Sequence, residues 1–482
     1  MPTSKLGLQS PSLRSLNLPF LSLLCSSLCR SSLCRSSLQK AVPLVLCVVG
    51  FAVAPAHILG LARAGWPGLL GPFRNGHADS KVVVPDQLPE NPKIRWQLDA
   101  GQGYAGAAIR DGQVAMFQRD GKQDVIRLVS LADGKEIWSA SFPAVYQQGI
   151  DSDKGPRCVP QIVDDAVLAY SAAGTLYCVS RSDGKRRWVR ELRKEFAAED
   201  GYFGAGSTPL VVDSSVIINV GGRKKGGVVA VRLSDGKNLW QSTDADASYA
   251  SPILVAGAKP DQAGTVVVPT RYVTYGLEPK TGSVLWQIPF GQRGPTVNAA
   301  TPIVCAPSQL FLTSSYGIGF VIARLPSDPM APVSVEQKGD AISSQYATPV
   351  SFGTSVFGSD GREDGGWPSY KCMDSETGEL LWSEAGMPIC HSIALDGNTS
   401  SSNAEPTAGV ERGNGEEAKP KILLIGINGK IWLLPATREG FRPLSKTVLP
   451  EGVYRALPAL SENSLVVRTS GGSNATWTCF EW

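Results

Sequence analysis

The chain has 482 residues, 43% hydrophobic and 18% charged, with 46 Lys and Arg against 43 Asp and Glu. A formal net charge of +3 gives no sign of a nucleic-acid groove, and the composition is that of a folded protein. The length admits two or three ordinary domains or one large repeat domain.

Taken in chain order, the first 64 residues stand apart. Residues 1–40 carry Lys5, Arg14, Arg30, Arg35 and Lys40 and no acid, the first acidic residue being Asp79. SSLCRSSLCRSSL (26–38) is a five-residue low-complexity repeat, to which no structure is assigned. AVPLVLCVVGFAVAPAHILGLA (41–62) follows as an apolar run. Basic residues before an apolar stretch read as an export signal or signal anchor. The expectation is an exported protein of the periplasm or the membrane-associated cell envelope, with 41–62 as the anchor if it is retained. Ala54-Pro55-Ala56 and Ala62-Arg63-Ala64 both have the small-x-small form of a cleavage site. Residues 65–92 read as a leader and linker.

From residue 93 the chain repeats itself. ADGKEIW (132–138), SDGKRRW (182–188), SDGKNLW (234–240), KTGSVLW (280–286) and ETGELLW (376–382) place Trp138, Trp188, Trp240, Trp286 and Trp382 at steps of 50, 52, 46 and 96. The last step is two periods, as if one copy had lost its tryptophan near residue 334. A period of 40–50 residues marks a propeller or solenoid. Within a unit, 157–188 reads as three apolar runs parted by Asp-Asp and Ala-Ala-Gly turns, then Ser-Asp-Gly and a final strand with Trp188. Short strands with Asp/Gly/Ser turns are antiparallel hairpins, and four of them make one blade. The recurrent tryptophan is expected to fill the interface between blades, a structural role. KIRWQLD (93–99) reads as an orphan fourth strand, with Trp96 in the tryptophan position; TWTCFEW (476–482) ends the chain on a third strand. Joining the two closes a ring of eight four-stranded blades, an all-β eight-bladed propeller, and leaves no open edge. Residues 396–421 are polar and unlike the repeats, and read as a disordered insertion.

Six cysteines lie in this region, with no CxxC pair to suggest zinc. Cys178, Cys372 and Cys479 share one repeat position, which reads as core packing. The segments GSTP (206–209), YASP (249–252), AATP (299–302) and YATP (346–349), with weaker forms at 104, 157, 389 and 455, mark the entrance of each inner strand. Their first residues should stand at one level around the axis. Tyr104, Arg157, Tyr249, Tyr346 and Arg455, with Asn298 and Gln345 alongside, therefore form the candidate binding ring. Arginine beside aromatics suits a planar or anionic ligand; the competing reading is that these side chains plug the channel and satisfy one another. Asp360 and Glu363 are the acids able to reach in, and a turn explains them as well. His391 beside Cys390 reads as a chance neighbour, because adjacent strand residues face opposite sides.

These units resemble the pyrroloquinoline-quinone (PQQ)-like β-propeller repeat over roughly 93–482. Proteins carrying it include the outer-membrane assembly lipoprotein BamB and the quinoprotein alcohol dehydrogenases. GWPGLLGPFRNG (65–76) is similar to a WPxxxGPxRdG leader of exported planctomycete members, with Asn75 in place of the usual Asp. The resemblance implies an exported, non-catalytic binding or assembly scaffold with envelope-protein partners. An alternative it implies is a PQQ-dependent dehydrogenase using calcium, a disulfide between adjacent cysteines and an acidic base; no two cysteines are adjacent here. Sugar or peptide binding through the aromatic ring is a second alternative. No catalytic residue, metal ligand or resident cofactor is assigned.

Overall fold

A computed structural model describes residues 65–482, apart from 145, 148, 200, 258–261, 263, 306–307, 396–418 and 471–473. The segment 1–64 and most of the 396–421 insertion lie outside the described residues; Lys421 already belongs to a strand, Lys421–Gly426.

The architecture is an eight-bladed all-β propeller, each blade an antiparallel meander of four strands. Blades 1 to 7 span 108–143, 161–191, 210–242, 253–289, 303–339, 350–385 and 390–448. Blade 8 takes three strands from 459–481 and its outermost strand from Lys93–Asp99, which pairs antiparallel with Thr476–Glu481. The ring is thus closed by the strand expected to close it. Where the entrance segment carries a proline, the innermost strand follows it directly, as Leu210, Ile253, Ile303 and Val350 follow Pro209, Pro252, Pro302 and Pro349. Among the described residues the one α-helix is Leu192–Glu195, and no helix is long and apolar enough to cross a membrane.

The tryptophans hold neighbouring blades together in a specific way. Each sits in an outer strand beside a third-strand neighbour that is small in most blades: Trp188 pairs with Cys178, Trp240 with Ala230, Trp382 with Cys372 and Trp96 with Cys479. The indole then crosses to the next blade. Trp96, Trp138, Trp188 and Trp240 donate their indole N–H to the carbonyls of Leu131, Arg181, Leu233 and Pro279 at 2.7–3.0 Å. Three residues beyond each carbonyl stands the turn glycine. A methyl group on Gly134, Gly184 or Gly236 would lie 2.9, 2.6 or 2.9 Å from the indole of Trp96, Trp138 or Trp188. These glycines also hold φ near +70°, so both close approach and backbone conformation demand glycine. Asp-Gly and Trp recur together because each serves the other across a blade boundary.

Blade 5 is the copy without tryptophan. Its pairing places Gln337 opposite Ile322, in the tryptophan position. The Gln337 amide donates to the Glu376 carbonyl at 3.3 Å, and its side chain lies over Gly378 of blade 6.

Residues 65–92, read as leader and linker, are packed against the blades. Gly65–Trp66 adds a short antiparallel strand to blade 1. The Pro67 carbonyl accepts from Ile162 of blade 2, and Arg74 binds the carbonyls of Thr208 and Pro209 of blade 3 and Pro252 of blade 4 at 3.0–3.1 Å. His77 meets Ser351 of blade 6, Ala78 donates to Ala394 of blade 7, and Val83 donates to Glu462 of blade 8. The leader therefore lies across the inner strands. Its Leu69 and Leu70 pack on Val159 and against Leu457 beneath the channel.

Candidate functional site

Above this leader a cavity of about 480 Å³ opens along the axis. Its lower ring comes from the third residue of each entrance segment, including Thr208, Ser251, Thr301, Thr348 and His391. Four of these residues explain the Ser/Thr of the motif. The amide of Val159 donates to Thr208 Oγ1 at 3.1 Å, Thr208 to Ser251 Oγ at 2.9 Å, Ser251 to Thr301 Oγ1 at 3.3 Å and Thr301 to Thr348 Oγ1 at 3.0 Å. A chain of amide-to-hydroxyl bonds thus links blades 2 to 6 where side chains would otherwise leave buried N–H groups unpaired. His391 continues the ring, its Nε2 lying 3.0 Å from the Arg455 carbonyl of blade 8. That contact requires the proton on Nε2, and burial pushes the imidazole pKa down to about 4, so the ring is neutral at pH 7.

The upper ring contains Tyr104, Arg157, Tyr249, Gln345, Tyr346 and Arg455, all lining the cavity. Asn298 does not. It is buried behind the wall, its amide nitrogen donating to the carbonyls of Arg271 and Phe290 at 3.0 and 3.3 Å, so it shapes a turn. Repeat position could not separate these roles, because Gln345 stands just before YATP as Asn298 stands just before AATP, yet Gln345 lines the cavity.

The two halves of the cavity differ. On the side of blades 3 to 5 stand Phe203, Tyr249, Val297 and Ala299. The Tyr249 hydroxyl accepts from the Phe203 amide at 2.8 Å, and their rings meet edge-on at 5.6 Å. On the opposite side the charges pair. Arg455 grips Glu363, with Nε 2.7 and 2.9 Å from the two carboxylate oxygens and Nη2 2.6 Å from Oε1. Tyr346 donates to Glu363 Oε2 at 2.9 Å, and the Glu363 amide donates to Gln345 Oε1 at 2.8 Å. Arg157 approaches Asp151 at 3.8 Å and Asp153 at 3.5 Å. Both guanidiniums cover Tyr104, 5.2 and 5.6 Å from its ring centroid. Asp364 is paired with Arg362, which lies over Tyr316 at 4.5 Å.

The pKa shifts follow this pairing. Burial, with Asp151 and Asp153 nearby, pushes the Tyr104 phenol up to about 12. Tyr346 is raised further by burial and by Glu363. The hydrogen bonds to Glu363 raise Arg455. None of these groups titrates near neutral pH. Glu363, one of the two acids expected to reach in, lines the cavity; Asp360 does not, and is paired with Lys371 at 2.7 Å.

The donor set does not fit a calcium–quinone pair. Calcium needs several converging free oxygens. Here Glu363 is held by Arg455 and Tyr346, Asp364 is held by Arg362, and no group of three His, Cys, Asp or Glu among the described residues could hold a metal ion. The six described cysteines are buried and free.

Among solved structures, the chain is similar to BamB from Moraxella catarrhalis, at 16% identity and a TM-score of 0.52 over 81% of this chain and 97% of that one. It is also similar to the quinohemoprotein alcohol dehydrogenase of Comamonas testosteroni, at 12% identity and a TM-score of 0.53, covering 87% and 81%. Both likenesses concern the fold. In sequence, the outer membrane protein assembly factor BamB of Salmonella typhimurium is 26% identical over 145 residues, 28% of this chain and 35% of that relative. The aligned part is thus about a third of the curated relative's length. The family model described as outer membrane protein assembly factor BamB matches residues 121–384, more than half of this chain. With PQQ-like repeats on all sides of a closed ring, the chain belongs to this BamB family of propellers.

Proposed function

We propose that this propeller is a non-catalytic binding or assembly scaffold of the cell envelope. The observation that carries this reading is the state of the cavity's ionisable groups. Every carboxylate lining it faces a guanidinium, His391 is neutral and hydrogen-bonded, and the phenols of Tyr104, Tyr249 and Tyr346 are raised above their ordinary value, away from neutral pH. A general base or metal ligand needs a free lone pair poised near the working pH. The relatives' names as outer membrane protein assembly factors support envelope partners and an envelope location. The basic and apolar N-terminal segment supports export.

Partner contacts should centre on the cavity face, where the hairpin of blade 6 carries Trp367 at 91% exposure, three residues from cavity-lining Asp364. Exposed tryptophan is a frequent energetic anchor of interfaces. A photo-crosslinking residue at position 367, in the organism that carries the protein, should yield discrete adducts with envelope proteins. The same residue at Met330, on blade 5, should not. Equal or absent labelling at both positions would contradict docking on this face.

The alternative of a PQQ-dependent dehydrogenase takes support from the fold it shares with quinoproteins, and no residue of the cavity favours it.

A further inference from the structure

The cavity's chemistry selects a class of small ligand, a conclusion that goes beyond the scaffold reading. Its floor is closed by Leu69 of the leader, Val159 and Leu457. At about 480 Å³ it lies within the ~300–1,000 Å³ typical of small-molecule pockets.

An anion is a poor occupant. Arg455 is engaged in a bidentate pair with Glu363, and Arg157 faces Asp151 and Asp153, so an anionic ligand would have to compete with a carboxylate already in place. A cation meets the same obstacle in reverse. An extended peptide finds no free strand edge, because the entrance amides of blades 1 and 4 are bonded to the next blade: Tyr104 and Ala105 to the Pro156 carbonyl, Tyr249 and Ala250 to that of Asn298.

What the cavity does offer is a neutral, polar rim set against aromatic faces. Arg455 keeps N–H groups on Nη1 and Nη2 beyond those used for Glu363 and Tyr104. On the floor, Ser251, Thr301 and Thr348 each accept an amide hydrogen from the neighbouring blade and retain their own O–H to donate. Across from the charged pairs, Tyr249 and Phe203 supply ring surface. A pyranose ring matches both halves, its C–H face packing on aromatic rings and its hydroxyls meeting planar guanidinium, amide and hydroxyl groups.

We infer that the funnel cavity binds an uncharged saccharide, either a free sugar or the end of a glycan chain, between the Tyr249–Phe203 wall and the Arg455–Glu363 pair. The sugar stacks on Tyr249, its hydroxyls reach Arg455 and the floor hydroxyls, and no charge pair breaks on binding.

The test is calorimetric titration of the full chain with glucose, maltose, cellobiose and chitobiose, and with glucuronate and sulfate as anionic counterparts. At least one neutral saccharide should bind saturably at millimolar concentration or below, and more tightly than either anion. Affinity that rises from glucose to the disaccharides indicates a glycan end; equal affinity indicates a free sugar. Tyr249→Ala should weaken binding about tenfold. Glu363→Gln should weaken neutral binding and create glucuronate binding, because it frees Arg455. Circular dichroism checks that each variant folds. If Glu363→Gln does not fold, the wild-type ranking and Tyr249→Ala decide the matter. No neutral binding, tighter anion binding by the wild type, or unchanged affinity in Tyr249→Ala would overturn the inference.

Discussion

At the scale of single residues, the contact between glycine and tryptophan makes a sharp prediction. Gly184 has φ +69° and approaches Trp138, whereas Gly353 has φ +58° and open space around it. Gly353→Ala should cost only the backbone strain, about 1 kcal/mol. Gly184→Ala adds a methyl group against the indole and should cost roughly 3 kcal/mol, read from the shift in denaturation midpoint. Equal costs would mean that the stacking carries no energy. His391 makes a second prediction, about pH. Its folded pKa of about 4 lies below the ordinary value near 6.5, so the unfolded chain binds the extra proton between the two. Its contribution is therefore present above pH 6.5 and lost as pH falls towards 4, by on the order of 2–3 kcal/mol. His391→Gln should flatten that part of the stability–pH curve. An unchanged slope would remove His391 as its source.

At the scale of elements, ring closure rests on the strand Lys93–Asp99. It pairs along Thr476–Glu481, and Trp96 fixes blade 8 to blade 1 through Leu131. Trp96→Ala should destabilise by about 3–5 kcal/mol, as deletion of a buried tryptophan does. Deleting residues 93–99 should leave the last strand unpaired and the protein prone to self-association, measured by light scattering. The leader is the second such element. Arg74→Ala would leave the carbonyls of Thr208 and Pro252 without a donor at the foot of the channel, and that of Pro209 with the Gln161 amide alone. A loss of about 2–4 kcal/mol is expected in thermal unfolding.

These two elements mark what sequence could and could not convey. The closing strand was legible because Trp96 and Cys479 carry the repeat's own pattern at opposite ends of the chain. The leader's packing was not, since an irregular Gly/Pro segment has no periodicity and its partners are backbone carbonyls of distant blades. The same holds within the site. Tyr104, Arg157, Tyr249, Tyr346 and Arg455 were found by their shared place in the repeat. Glu363, which neutralises Arg455, lies outside that register in a hairpin of blade 6, so it was legible, with Asp360, only as an acid able to reach in or a turn residue. Gln337 was missed as the tryptophan substitute because only strand pairing assigns its position.

At the scale of the whole molecule, the propeller is a closed ring whose channel is stopped below by its own leader and open above to a charge-balanced cavity. The family relationship places it among BamB-family propellers, and what it shares with quinoprotein dehydrogenases is the fold of the ring. The most direct test adds PQQ and calcium to the full chain, following the unfolding temperature and alcohol-dependent dye reduction together. A ligand that binds only the folded state raises that temperature in proportion to its occupancy. The scaffold reading predicts no saturable shift and no dye reduction at excess quinone and calcium. A saturable rise of several degrees that disappears in Glu363→Gln, accompanied by dye reduction, would contradict it.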